Sequence, residues 1–383
     1  MKVCHITTVH AYNDIRIFVK ECQSLAAAGN EVHLVAPNAP TERINGVFVH
    51  GIPKGKGNRL VRVTKTVRAV YKKAVEIDAD VYHFHDPELI LIGTKLKSSG
   101  KKVIYDVHED VPLQIFRKKY IPYYLRKPLS MIVDLFEKNT SRMFDLIVCA
   151  TPHISEKFEK YNTERISIRN YPKIEKIVES SKSNIHKRND VCYIGGLSAG
   201  RGLYTMEEAI HYTSCSLNLA GVFFNQVDKA RFIDDKTEKV KYLGYLERKE
   251  INDLLKDSLA GLVVLEGSEA FKYSLPVKMF EYMSAGIPVI CSDFPLWREI
   301  IEKHKCGFCV DPKDAKAIGA AINYLNDNPE EAEQMGRNGR SAVETEYNWE
   351  TESEKLINAY NNLFNQTNIK EVYKNENSNA RSI

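Results

Sequence analysis

No apolar run in the chain approaches the ~20 residues that a membrane-crossing helix needs. The opening stretch MKVCHITTVH is too short and polar for a signal peptide and reads as a first strand, so a cytoplasmic protein is expected. Cysteines stand at 4, 22, 149, 192, 215, 291, 306 and 309, mostly in apolar, strand-like contexts that suit buried thiols rather than disulfides. Cys306 and Cys309 form a CxxC, but no second Cys or His pair lies nearby, which argues against a zinc or redox site. Internal repeats and RNA-binding motifs are missing. We read no acidic cluster suited to holding a metal beside a phosphate. Neither a metal nor nucleic acid is therefore expected as a partner.

What is present suits two domains of ordinary size in 383 residues. The net charge of +4 is unevenly shared: 30 Lys/Arg against 20 Asp/Glu in residues 1–182, and 24 against 30 in the remainder. A basic first half points to an anionic partner. Residues 54–73 carry eight Lys/Arg and no acid, and from Leu60 the apolar residues recur at helical spacing. That pattern fits a membrane-surface helix, the reading we favour, and equally a core-packing helix with a solvated basic face. Residues 116–128, FRKKYIPYYLRKP, interleave basic and aromatic residues as interfacial anchors do.

Along the chain, Val3–Thr7 and Glu31–Ala36 read as strands around a helix from Ile15 to Ala28. Asn13 or Asp14 can cap that helix. Strands Val81–His85 and Lys102–Val107 end in the polar clusters His85-Asp86-Pro87-Glu88 and Asp106-Val-His108-Glu109-Asp110. Ligands of parallel sheets bind beyond such carboxyl ends. Asp86 is also a plausible N-cap ahead of Pro87, and Asp14 with Arg16 could form a cap and a surface ion pair. The polar, Ser/Lys/Asn-rich residues 176–189 have the composition of a linker. A second α/β domain restarts at Asp190–Ile194, followed by the glycine-rich Gly195-Gly196-Leu-Ser-Ala-Gly200-Arg201-Gly202, which lets backbone approach phosphate closely. We place domains at 1–180 and 190–347, a final helix at 348–365, and a disordered polar tail at 366–383.

The densest signal is residues 273–299, YSLPVKMFEYMSAGIPVICSDFPLWRE. Strands at Leu259–Leu265 and Pro288–Cys291 flank a helix from Pro276 to Ala285. Pro276 suits its first turn, and Gly286 and Pro288 end it. The helix start offers free N–H groups to an anion. Lys278 and Glu281, three apart, share a face. A Lys–Glu surface pair would give the same spacing.

Pro276, Lys278, Phe280, Glu281, Tyr282, Met283, Ala285, Gly286, Pro288, Val289 and Ile290 resemble the P-x-K-x-F-E-Y-M-x-x-G-x-P-V-I block of retaining GT-B glycosyltransferases of family 4, the glycosyl transferases group 1. The loop His10-Ala-Tyr-Asn-Asp14-Ile-Arg16-Ile-Phe18 resembles the D-x-R-I-F variant of capsule and O-antigen enzymes. H-D-P at His85 and D-x-H-E at Asp106 are further landmarks. The resemblance spans about residues 1–364. It implies an α/β GT-B fold: two Rossmann-like domains facing across a cleft, with a C-terminal helix crossing back to the first.

It also implies roles. His108, Arg201 and Lys278 would be catalytic. Gly195, Gly196, Arg201, Gly244, Leu246, Tyr273, Leu275, Pro276, Lys278 and Glu281 would bind the donor. Asp14, Arg16, His85 and Asp86 would lie on the acceptor side. Tyr273 stands where the family has its first Glu, and Gly196 where it has a basic residue. The co-substrate would be a nucleotide sugar, UDP-linked by preference, with no other cofactor. The acceptor would be a lipid-linked or other glycan at the inner face of the cell membrane. A sugar-nucleotide epimerase and a non-catalytic GT-B partner subunit are the alternatives.

Overall fold

The computed structural model describes residues 1–55, 59–116, 118, 121–161, 163–174, 188–234, 239–267 and 269–379. The chain divides into two compact units, Met1–Asn170 with Thr351–Ile383, and Tyr171–Glu350. Most of the linker expected at 176–189 lies outside the described residues.

The first unit is built on eight strands: β1 (Lys2–Ile6), β2 (Glu31–Pro37), β3 (Glu42–Ile44), β4 (Val47–Ile52), β5 (Val81–Phe84), β6 (Lys102–Val107), β7 (Leu146–Cys149) and β8 (Arg165–Ser167). Their order is β3-β4-β2-β1-β5-β6-β7-β8, parallel except for the β3–β4 pair. Runs such as VYHF and LIVC are buried at every position. That is the pattern of a parallel sheet covered on both faces. The strand order reverses between β1 and β5, so their carboxyl ends frame the ligand-binding edge.

Two expectations are corrected in this unit. The helix Arg59–Ile77 turns its apolar stripe inward: Val70, Ala74 and Ile77 join the core with Ile52, Tyr82 and Phe84. Its pattern was amphipathic, but the face belongs to the sheet and not to lipid. The helix Tyr123–Ser141 is the inverse case. It buries Ser130, Glu137 and Ser141 and exposes Tyr124, Met131, Ile132 and Leu135. Glu137 is accommodated inside by Lys157, 2.6 Å away.

The last helix, Trp349–Asn379, continues through most of the stretch read as a disordered tail. No Pro or Gly interrupts residues 366–379, and extending an existing helix avoids the cost of nucleation. Glu352 accepts a hydrogen bond from Arg169 N at 2.9 Å, and the Tyr360 hydroxyl lies 2.7 Å from His83 Nδ1.

The second unit has six parallel strands: β9 (Asp190–Ile194), β10 (Ser216–Ala220), β11 (Val240–Gly244), β12 (Ser258–Val263), β13 (Val289–Ser292) and β14 (Gly307–Val310). Their order is β11-β10-β9-β12-β13-β14, reversing between β9 and β12. Tyr171 already belongs here, its ring 4.7 Å from Phe280 and 5.4 Å from Tyr347. Pro276 occupies the N-cap position of the helix Val277–Ser284 without a side-chain cap bond, and Gly286 follows the helix at φ 71°, the left-handed geometry of a helix stop. Gly336 lies within the helix Pro329–Thr345, where a Cβ would collide with the Gly286 carbonyl. The glycine therefore sets how closely two segments approach.

Candidate functional site

In the second unit the site grows from the carboxyl end of β9. Tyr193 points its ring at Lys278, whose Nζ lies 3.5 Å from the ring centroid. The Tyr193 hydroxyl donates to Gly196 O at 2.9 Å. Gly195 adopts φ 129°, and a Cβ there would lie 3.0 Å from Lys278 Nζ. The glycine thus makes room for the ammonium against the backbone. Gly196 does the same for Phe224, whose ring lies 5.3 Å from the Arg201 guanidinium carbon.

Lys278 Nζ is buried and makes no hydrogen bond among the described residues. Burial, then the Arg201 charge, push its pKa well below the ordinary lysine value, while Glu281 opposes them. Burial raises the Tyr193 hydroxyl to about 12 against the pull of the same Arg201. Arg201 and Lys278, 77 positions apart in the sequence, therefore act on one ring and on each other. Two cations beside a helix start that has no side-chain cap bond offer the chemistry that suits a polyanion. Glu281 Oε1 accepts from Arg248 Nη1 at 2.8 Å, which fixes the carboxylate at the same helix. Gly244 ends β11 at φ 77° with its carbonyl bound to Gly221 N. Leu246 and Leu275 pack on the core, and Tyr273 is exposed.

In the first unit Asp106, at the end of β6, is the hub. Arg16 grips it at two points, Nε to Oδ2 at 3.0 Å and Nη2 to Oδ1 at 2.8 Å. His85 Nδ1 and His108 Nε2 lie 3.1 and 2.6 Å from Oδ2. Burial would raise the Asp106 pKa, but the charge of Arg16, then His108, hold it well below the carboxylate range. Asp14 caps the following helix, accepting from Arg16 N and Ile17 N at 2.8 and 2.9 Å. Burial would raise Asp14, but His10 and these amides lower it to about 2.

The acceptor-side set thus separates into two kinds of residue. Arg16, His85 and Asp86 are buried and bonded within the unit. Arg16 forms a buried ion pair, not a surface one. Asp86 makes no N-cap bond; it accepts from Thr7 Oγ1 and Thr8 N at 2.7 and 2.6 Å. His10, Asp14 and His108 keep partial exposure.

Sequence reasoning passed over Tyr193, Phe224, Arg248, His10 and the hub role of Asp106. Asp106 and His10 stood in quoted motifs; Tyr193, Phe224 and Arg248 carried no local signal. It also passed over Asp78-Ala-Asp80, which has the spacing of a metal-binding acidic pair. That pair precedes β5, at the opposite end from the site, where Asp78 pairs with Lys101 and Asp80 accepts from Lys2 N.

Comparison with known proteins follows the same division. The model of Glycosyltransferase Family 4 matches residues 16–169, and that of Glycosyl transferases group 1 matches residues 175–342. Spore coat protein SA of Bacillus subtilis is 23% identical over 194 residues, 47% of this chain and 50% of that protein, so the match spans half its length. The D-rhamnosyltransferase WbpZ of Pseudomonas aeruginosa is 24% identical over 367 residues, 89% of this chain and 91% of that protein. Among solved structures, a sucrose-phosphate synthase from Thermosynechococcus elongatus shares the fold with TM-score 0.74 at 17% identity, over 95% of this chain and 99% of that one. HepE of Anabaena, in complex with UDP and glucose, shares it with TM-score 0.71 at 13% identity, over 94% and 100%. Matched in order along both units, with the fold in common, the chain belongs to the family 4 glycosyltransferases of GT-B fold.

Proposed function

We propose that the chain is a retaining hexosyltransferase that moves a sugar from a nucleotide-sugar donor, UDP-linked by preference, to a lipid-linked or other glycan acceptor in cell-surface polysaccharide synthesis. The observation that carries this reading is the buried, unpartnered ammonium of Lys278 beside Arg201 and the glycine loop. A cation kept dry and unpaired in the free protein is a site prepared for an anion. The WbpZ name, a D-rhamnosyltransferase, and the UDP and glucose bound by HepE support the reading.

In this reading the bond between the anomeric carbon and the diphosphate oxygen breaks, the acceptor oxygen bonds that carbon on the same face and passes its proton to the departing phosphate oxygen, and negative charge gathers on the leaving diphosphate. Arg201, Lys278 and the start of the helix Val277–Ser284 stabilise that charge, with no metal at the diphosphate. Gly195, Gly196 and Gly244 let backbone approach the nucleotide, and Glu281, fixed by Arg248, receives the ribose hydroxyls. His108, oriented by Asp106, is assigned to the transferred sugar, and His10 and Asp14 to the acceptor. No other cofactor is invoked.

The exposed apolar stripe of the helix Tyr123–Ser141 carries Arg126, Lys127 and Lys138 beside it, which suits an anionic membrane holding a lipid-linked acceptor. No helix among the described residues is long and apolar enough to cross a membrane. We place the enzyme at the inner face of the membrane, held peripherally.

The test is thermal stabilisation by UDP, GDP and their sugars, followed by turnover with NMR of the anomeric configuration in the product. Stabilisation by one nucleotide family and retained configuration are expected. Indifference to every nucleotide diphosphate would remove the reading. Conversion of the donor without an acceptor would replace it with epimerisation.

A further inference from the structure

Deep in the first unit, behind Arg16 and Asp106 and sharing His85 with the set expected on the acceptor side, four side chains meet with their polar atoms incompletely used. His5 of β1, Glu21, and His83 and His85 of β5 and its end are all buried. One ligand-capable atom from each lies within 4.8 Å of all the others. Neither Glu21 oxygen makes a hydrogen bond among the described residues, although Arg16 Nε sits 3.1 Å from Oε1. His83 Nε2 likewise has no partner. A buried polar atom without a partner bears the cost of its lost hydration, so a fold that keeps three of them together needs a reason.

We propose that this cluster holds a divalent transition metal, zinc by the chemistry of its donors, as a structural ion. Three imidazoles and one carboxylate form a set that suits zinc; His83 Nε2 is open, and His5 Nδ1 and His85 Nε2, hydrogen-bonded to each other at 3.0 Å, would exchange that bond for the ion. His83 is turned by its Nδ1 contact with the Tyr360 hydroxyl at 2.7 Å, which leaves Nε2 for the ion. His85 is turned by Nδ1 to Asp106 at 3.1 Å, which aims Nε2 into the cluster toward His5 Nδ1. A carboxylate or hydroxyl behind each imidazole is how metal-binding histidines are fixed. His5 Nδ1 lies 3.0 Å from His85 Nε2 and 3.9 Å from Glu21 Oε2. Ligands about 2.0–2.1 Å from a tetrahedral ion stand ~3.3 Å apart, so a small adjustment admits it.

The backbone explains how the set arises. Register places His5 beside His83 on neighbouring strands, and His83 and His85 share a sheet face. Glu21 comes from Ile15–Cys22, a π-helix whose wide turn sets Arg16 and Glu21, five apart, side by side. The ion would tie β1, β5 and this helix together under the last helix. It would act on the positions of Arg16 and Asp106 without touching a substrate. The proposal does not depend on the assigned activity.

The full chain, carrying a tag that binds no metal, is grown with added zinc and analysed by plasma mass spectrometry. About one zinc per chain is expected, with a lower melting temperature after chelation. His83→Phe and Glu21→Gln should each lose the ion. Less than about a tenth of an equivalent in the folded wild type, or full retention by folded His83→Phe, would overturn the proposal. Should His83→Phe fail to fold, cobalt-grown wild type decides. Four-coordinate absorption without a thiolate band supports the site; a featureless or sulfur-ligated spectrum overturns it. Nucleotide-induced stabilisation, read in the same samples, tests the donor site separately.

Discussion

Lys278 Nζ lies 3.5 Å from the centre of the Tyr193 ring, close enough that the ring face replaces part of the water the ammonium has lost. The substitute is partial, because Arg201 repels the same charge. The free protein is therefore strained at this point, and an anion relieves it. Lys278→Met should raise the melting temperature of the free protein and remove the increment that UDP or its sugars add. Arg201→Ala should weaken nucleotide binding roughly 10- to 100-fold, the loss of one charge-assisted contact of ~1.5–3 kcal/mol. Arg201→Ala and Glu281→Ala should both abolish transfer while circular dichroism stays unchanged. A Lys278→Met protein that is no more stable, yet still responds to nucleotide, would contradict the strain argument.

The same lysine fixes a pH dependence. Its folded pKa is depressed, so the unfolded chain holds more protons between that value and the ordinary 10.5. Stability of the free protein therefore rises with pH across that window. A bound diphosphate raises the lysine again, so binding takes up a proton and affinity falls as pH climbs. Calorimetry stepped upward in pH, from above the second phosphate ionisation near ~6 toward the ordinary lysine value, should show proton uptake setting in where the free amine loses its proton, when buffers of different ionisation enthalpy are compared. Lys278→Met should bind with none. Proton release by the wild type would reverse the sign and defeat the assignment.

Much of this could be read in the sequence because proline and glycine punctuate it. The stretch from Pro276 through Gly286 to Pro288 marks a helix start, a helix stop and the next strand, and the structure places them so. Apolar runs such as VYHF and LIVC identified buried parallel strands. Which neighbour an apolar stripe meets was not legible: 60–77 faces the sheet and the 123–141 helix faces out, from similar mixtures of basic and apolar residues. Nor were long-range partners. Asp106 gathers Arg16, His85 and His108, 90, 21 and 2 positions away, and only folding makes that one cluster. The helix contact made at Gly336 was not legible either, because a pattern cannot show what a missing Cβ would hit.

That cluster makes Arg16 a stability determinant. Arg16→Leu leaves the buried Asp106 with its histidines alone and Glu21 beside it without a cation. Breaking one side of a buried pair costs about 3–5 kcal/mol. Urea unfolding should show a loss of that size. Asp14→Ala, which removes a cap, should cost about 1 kcal/mol. A change below about 1 kcal/mol for Arg16→Leu would mean the residue is a replaceable surface group.

The last prediction concerns the helix Tyr123–Ser141. Met131, Ile132 and Leu135 are 64%, 65% and 59% exposed, whereas Glu137 on the opposite face is 2% exposed. Helices usually pack the other way, so this apolar stripe has been left available and its polar face secured by Lys157. Lys127 and Arg126 flank its start, and a polybasic margin adds about 1 kcal/mol per residue near an anionic surface. The full chain should float with phosphatidylglycerol vesicles at low salt and less so with phosphatidylcholine. Ile132→Glu with Leu135→Glu should abolish flotation and leave the melting temperature unchanged, since neither side chain supports the core. Substituting Lys65, Arg68 and Lys72 on the helix Arg59–Ile77 should weaken binding only through its salt dependence, because Val70, Ala74 and Ile77 of that helix are committed to the core. Flotation that survives the double glutamate variant would move the membrane contact elsewhere on the protein.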